Sequence, residues 1–472
     1  MSTHSSRKGE LRSYNSKKKH LQLNLHYCLK CINNVINNYS LRFRLLVSHD
    51  TLLIMFRPSS KFQGRAKGKV RKKWRLFHAT DFQSLMYPCF LFCQILGIFP
   101  YKIKGSTFET SRPRYIMSTI VICVFCAYGL SMLYEIDISG RIKFAGVPGT
   151  LQGNCYYLLG GFITVVTYIL SGPRMRLLQT VLEISSRLPP ETYEKLSRLI
   201  HAKDILGFIF LIGQIPNCYS ANYLDILVKI LSMYMTLLVF QMDMLYMNCV
   251  CVLKACFKKI NDNLASLREL VINDEPHLLR RIYHEQRNPF LLMEIKALKK
   301  RHLMVSDAVQ MLNVIFSLQL LATIVMTFAE ITFSLYFYIV QREKGDTRNL
   351  DNNLDKQIWY SYYITSILYY STKIALIVWA CETGKDQALE IGTTVHEVLI
   401  NTNDKQIKDE LQLFSLQILH RENAFSAKGL NVDATLLTAI VGSITTYLLI
   451  LIQFLQTSHA CNGKAPNVTN TM

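Results

Sequence analysis

The 472-residue chain lacks the residue sets on which catalysis and metal binding depend. It contains no G-x-S-x-G, no H-E-x-x-H and no G-x-x-x-x-G-K-[ST], so common hydrolase, metalloprotease and nucleotide-binding signatures are missing. His78, His201, His277, His284 and His302 stand in basic stretches without partners at ligand spacing. Thirteen cysteines show no zinc-like pattern, and Cys28 with Cys31 is a lone C-x-x-C that no second pair completes. No enzyme activity, metal site or cofactor is expected.

Charge is scarce too, at 18% of residues, and acidic charge scarcer still: 33 Asp and Glu against 53 Lys and Arg, a net +20. In a soluble protein that excess would suggest nucleic acid. Here half of all residues are hydrophobic, and the basic ones cluster between apolar runs. The positive-inside rule and anionic lipid account for them there, so a lipid bilayer is expected as a partner and nucleic acid is not.

Where charge is absent altogether, the runs are long. Residues 434–455 carry none, and about 22 helical residues cross a hydrocarbon core of roughly 30 Å. Seven spans are expected at 115–134, 155–172, 205–218 with its flanks, 230–253, 309–340, 359–381 and 434–456. The third is broken by Gly207, Gly213 and Pro216. Residues 81–101 hold Pro88, Gly97 and Pro100 and read as an interfacial or partly inserted helix ahead of the first span. The fold class is therefore all-α, a polytopic membrane protein: a basic cytoplasmic tail over 1–80, a seven-helix domain over 81–456 and an extracellular tail over 457–472. Residues 1–80 read as a disordered tail, and a true start at Met55 stays open.

Lys and Arg alternate heavy and light along the connections, with Lys254 to Arg301 the heaviest stretch. Placing the heavy segments inside puts the N-terminus in the cytoplasm and, after seven crossings, the C-terminus outside. A G-protein-coupled seven-helix receptor has the opposite orientation. The sequon at Asn467 would then be lumenal. Residues 406–425 carry Ile407, Leu411, Phe414, Ile418 and Leu419 at helical spacing, an amphipathic helix between the last two spans.

Three sets of residues bear on function. Gly442, Thr446, Leu449, Gln453 and Gln456 fall on one face of the last span, and lipid cannot satisfy an amide. The stripe either bonds a neighbouring helix or lines a pore. Asp243, Glu330 and Lys373 sit inside spans, each costing about 2.5 kcal/mol or more at the bilayer centre unless partnered. Each should face a partner or water; Glu330 and Lys373 could pair between the fifth and sixth spans, as a structural ion pair or as groups a proton-coupled transporter would use, or snorkel toward an interface. Tyr156, Tyr157, Tyr336, Tyr338, Trp359, Tyr360 and Tyr363 enrich the outer span ends, either as an interfacial belt or as the wall of a small-molecule pocket.

Thr446-Tyr447-Leu448-Leu449-Ile450-Leu451-Ile452-Gln453-Phe454 resembles, position by position, the threonine-tyrosine, five apolar, glutamine-phenylalanine signature in the last span of insect gustatory receptors. Residues 410–417 and Phe425-Ser426-Ala427 look like the same family, and the likeness runs over about 81–456. The resemblance implies a tastant-gated cation channel in the plasma membrane of sensory neuron dendrites. It implies a homo- or hetero-tetramer held by a cytoplasmic anchor, with a ligand pocket in the outer bundle. Thr446, Tyr447, Gln453 and Phe454 match the motif whose Gln and Phe act at the family's gate. The ligand class, sugar or bitter compound, stays open. A G-protein-coupled receptor and a secondary transporter are the alternatives, though no internal repeat supports the second.

Overall fold

The structure, a computed structural model, describes residues 76–104, 107–142, 146–213, 223–272, 281–345, 353–402 and 404–462. The basic segment 1–75, with Cys28 and Cys31, lies outside them, as does Asn467. The described part is a helical bundle with two short hairpins.

Helix α1, Phe82–Ile95, is stopped from starting earlier by Asp81, whose carboxylate accepts the Ser84 N–H at 2.8 Å while the Ser84 hydroxyl accepts the Asp81 N–H. Its 14 residues reach only about 21 Å, too short to span. It packs against the helices Pro190–Gly213 and Tyr223–Ile272 and buries Leu85, Met86, Cys89 and Cys93. Strands β1, Tyr101–Lys104, and β2, Thr107–Thr110, pair antiparallel with Tyr101 opposite Thr110. Helix α2, Arg112–Asp137, holds the first expected span. The second falls on α3, Gly146–Ile169, and ends where α4, Ser171–Ser185, bends away by 65°. Gly160 lets the Met235 side chain lie close against α3: a Cβ there would lie 2.4 Å from the Met235 sulfur, which would have to move.

Helix α5, Pro190–Gly213, carries the start of the expected third span, and 214–222 lie outside the described residues. Helices α6, Tyr223–Ile272, α7, Arg281–Gly345, and α8, Asn353–Asn401, each run on past the apolar span without a break. Thus most of the charged stretch 258–307, outside 273–280, is helix, as is most of 382–429. Packing rather than lipid supports these extensions: Phe257, Leu264, Leu298, Val395, Leu411 and Phe414 are all buried in one core. Among the described residues five helices are long and apolar enough to cross a membrane (α2, α6, α7, α8 and the last helix), or six if α3 with α4 counts as one bent span.

The amphipathic segment is helix α9, Lys405–His420, capped by the Asp404 carboxylate on the Gln406 and Ile407 N–H groups. Ile407, Leu411 and Phe414 face the core as expected, but Leu419 is 76% exposed. The buried face centres on 407, 411 and 414, and position 419 turns off it. Hairpin β3–β4, Ser426–Ala427 with Leu430–Asn431, then leads to α10, Ala434–Asn462.

Candidate functional site

Helix α10 packs on α7 and α8 through one narrow face. Leu436, Ile440 and Ile444 are buried, and Leu448 and Leu451 rest against Ala329, Phe333, Tyr336, Phe337 and Tyr363. These positions recur at three- and four-residue steps, a single helix face. The stripe of Gly442, Thr446, Leu449, Gln453 and Gln456 lies about half a turn away, and all five are exposed in the single chain. Of the apolar window of α6, 94% is buried, against 17% for α10. The Thr446 hydroxyl returns its hydrogen bond to the Gly442 carbonyl at 3.0 Å, the ordinary solution for a threonine in an apolar helix. The Gln453 side-chain amide has no partner among the described residues, so neither lipid nor its own chain satisfies it. Tyr447 lies toward the bundle, edge-on to Phe328 at 5.7 Å. Phe454 is 75% exposed and stands about a third of a turn off the stripe.

The aromatic candidates separate into two groups. Tyr336, Tyr338 and Tyr363 gather with Phe333 and Phe337 against the inner face of α10. Tyr156 and Tyr157 are edge-to-face at 5.2 Å and belong to a hydroxyl network with α2 and α6. The Tyr156 hydroxyl donates to the Ser232 carbonyl at 2.6 Å and lies 2.8 Å from the Thr236 hydroxyl. Those of Tyr157 and Tyr128 both reach the Ser232 hydroxyl, at 3.2 and 2.9 Å. Trp359 and Tyr360 fall outside the residues whose side chains are described. A recess of about 600 Å³ between the end of α2 and the start of α3 is lined by Ile136, Val147, Leu151 and Asn154, and by none of the tyrosine candidates.

The buried charges are not paired as expected. Lys373 on α8 faces Asp243 on α6 at 3.2 Å, and Asp243 also accepts from the Thr323 hydroxyl at 3.1 Å. Glu330 instead accepts from the Gln152 amide of α3 at 2.9 Å. Tyr369 and Tyr370 place their rings 5.6 and 5.2 Å from the Lys373 ammonium. Arg174, just past the expected span 155–172, is buried: it donates to the Thr167 carbonyl at 3.0 Å and lies over the Phe316 ring. Gln152, Ser232, Thr236 and Thr323 were not singled out by the sequence. Their signal is weak: Ser232, Thr236 and Thr323 are uncharged polar residues inside apolar runs, and Gln152 lies just ahead of one. Among the described residues no group of three His, Cys, Asp or Glu is placed to hold a metal ion.

A bundle of apolar helices with buried ion pairs and tyrosine clusters, and with its last helix left uncovered, is that of a multi-pass membrane protein. The model of the family described as 7tm chemosensory receptor matches residues 86–458, and the chain belongs to that family. It is 31% identical to putative gustatory receptor 28b of Drosophila melanogaster over 167 residues, 35% of each protein. To putative gustatory receptor 28a of the same fly it is 32% identical over 179 residues, 38% of this chain and 39% of that one. The chain thus spans little more than a third of the length of these relatives. In fold it is similar to the insect olfactory receptor OR5 from Machilis hrabei: TM-score 0.58, 11% identity, 79% of this chain and 98% of that one. The same receptor in complex with eugenol gives 0.56, 10% identity and the same coverage.

Proposed function

We propose that this chemoreceptor is a ligand-gated cation channel of the gustatory type, opened by a small-molecule tastant, sugar or bitter compound. Its seven spans would leave the N-terminus inside and the C-terminus outside. Four subunits, identical or mixed, would set their last helices around one axis in the plasma membrane of sensory dendrites. The observation that carries this reading is α10: its polar stripe faces away from its own bundle, with the Gln453 amide unpartnered. Four such faces turned inward enclose a polar path, and the Gln amides replace part of an ion's hydration shell. Phe454, beside Gln453 but about a third of a turn off the stripe, would close that path by excluding water once the last helix turns it toward the axis. The outer tyrosines bind the ligand, as apolar walls with a few hydroxyls suit small organic molecules, and binding favours the open state by its differential affinity. Tyr336 and Tyr363 touch the same cluster as Leu448 and Leu451, so a ligand there acts directly on the pore helix.

The test is expression in a cell line with a calcium reporter and an antibody tag at the C-terminus. Staining of intact cells with a ligand-evoked, G-protein-independent calcium rise is the expected result. Staining only after permeabilisation, in cells with proven surface delivery, overturns the topology and revives the G-protein-coupled reading. Stoichiometric substrate uptake in place of ion flux would establish a transporter.

A further inference from the structure

Between α9 and α10 the chain runs as a strap over α7, which holds it through residues three apart. The Arg421 guanidinium lies 2.9 Å from the Asp307 carboxylate and donates to the Gln310 side-chain oxygen at 3.0 Å. Asn313 does more. Its amide nitrogen donates to the Ala424 carbonyl at 2.8 Å, and its amide oxygen accepts the Ser426 N–H at 3.1 Å. One side chain thereby meets both backbone groups flanking Phe425, as a neighbouring peptide group would in a sheet. A carboxamide can do this because it carries donor and acceptor side by side.

Phe425 itself is buried, its ring set so close to α8 that a Cβ on Gly384 would come within 2.8 Å of it. The strap closes at once: the Val432 N–H donates to the Phe425 carbonyl at 3.0 Å, and Lys428 and Gly429, at φ 53° and 84°, make the turn. Then α10 begins. Its first N–H groups, at Thr435 and Leu436, are accepted by Asp433, and that of Ala434 by Glu382 of α8 at 3.2 Å. The root of the last helix is thus fixed on two sides, by α7 and by α8. Helix α7 also carries Phe333 and Tyr336, five to six turns beyond Asn313, against the upper part of α10.

We propose that Asn313 is the positioning residue that sets the resting orientation of the last helix, and that a shift of α7 is passed through it to the root of α10. The orientation claim stands on the contacts above, and its consequence at the gate rests on the channel reading. Among the described residues the Asn313 side chain bonds to the strap, and to neither the pore stripe nor the tyrosine clusters.

The test uses full-length receptor in cultured cells with a Gln456→Cys reporter near the far end of α10. N-ethylmaleimide crosses membranes, so its modification rate at the reporter thiol reads helix orientation whichever side that thiol faces. The same chain without the reporter gives the background. Asn313→Ala removes both bonds, and Asn313→Asp keeps the acceptor while setting a carboxylate against the Ala424 carbonyl. At wild-type surface amounts, both should change the reporter rate severalfold without ligand and raise the unstimulated cation current. Gln310→Ala, which loosens only Arg421, should change neither. Unchanged rates in both Asn313 variants, or an equal change in Gln310→Ala, overturn the proposal. A changed rate with no cation current in any chain, wild type included, overturns the channel reading and leaves the positioning role standing. If neither Asn313 variant reaches the surface, Ser426→Pro deletes the one N–H that Asn313 accepts and should give the same change in rate. Failure of all three to fold makes Asn313 a structural residue and overturns the proposal.

Discussion

Lys373 faces Asp243 across the α6–α8 contact at 3.2 Å, while Glu330, the partner its span position suggested, is held by Gln152. The choice follows from helix rotation. Lys373 turns toward the Tyr369 and Tyr370 rings and α6, and Glu330 turns toward α3. A buried ion pair contributes little net stability over an apolar pair, but removing one member strands the other.

Asp243→Leu should therefore cost about 3–5 kcal/mol and sharply reduce surface delivery, because Lys373 would be left buried without its counter-charge. Adding Lys373→Met should restore much of that loss. Surface biotinylation of the two single variants and the double variant measures it. Additive losses would show that the two side chains do not act as a pair.

Phe454→Ala should raise the unstimulated cation current at unchanged surface amounts, since the side chain stands 75% exposed next to Gln453 and contributes nothing to the bundle core. Whole-cell recording checks it. Wild-type basal current with wild-type gating would remove Phe454 from the gate.

Gly384→Ala drives a Cβ to 2.8 Å from Phe425 and 3.4 Å from Val250, both in the core. Overpacking of this kind costs about 1–3 kcal/mol. The unfolding midpoint in detergent should fall, and Gly384→Ala with Phe425→Leu should recover part of it, since the smaller side chain frees the space.

His201 gives a pH dependence whose sign is fixed by burial. Its Nδ1 accepts the Phe77 N–H at 3.1 Å, and Nε2 lies 2.9 Å from the Leu85 carbonyl, so this is the neutral ring with its proton on Nε2. Burial holds its pKa below the ordinary value. Above about pH 6.5 the ring is neutral folded or unfolded, and its contribution is complete. Below that, the unfolded chain takes up a proton that the folded one refuses, and stability falls until the folded pKa is reached. The same ring and the Ser197 hydroxyl hold Phe77 at φ 64°, a region non-glycine residues rarely adopt. His201→Gln should lower the unfolding midpoint at pH 7.5 and flatten its decline toward pH 5.5. A parallel decline in both chains would assign the pH dependence to other groups.

That this chain is helical and built for lipid can be read from its residues in order, because period and charge are local properties. Uncharged runs such as 434–455 and the spacing of 407, 411 and 414 are legible without a partner. The motif from Thr446 to Phe454 sufficed to suggest the family for the same reason. Which polar groups meet is fixed by the packing of the helices. Asp243 with Lys373, Glu330 with Gln152, and Asn313 with the strap lie far apart in sequence, and each depends on how two helices are rotated about their axes. The burial of Arg174 and the exposure of Leu419 were decided the same way. Rotation is set by packing summed over many apolar contacts, and the order of residues along one helix does not encode which face its neighbour will cover.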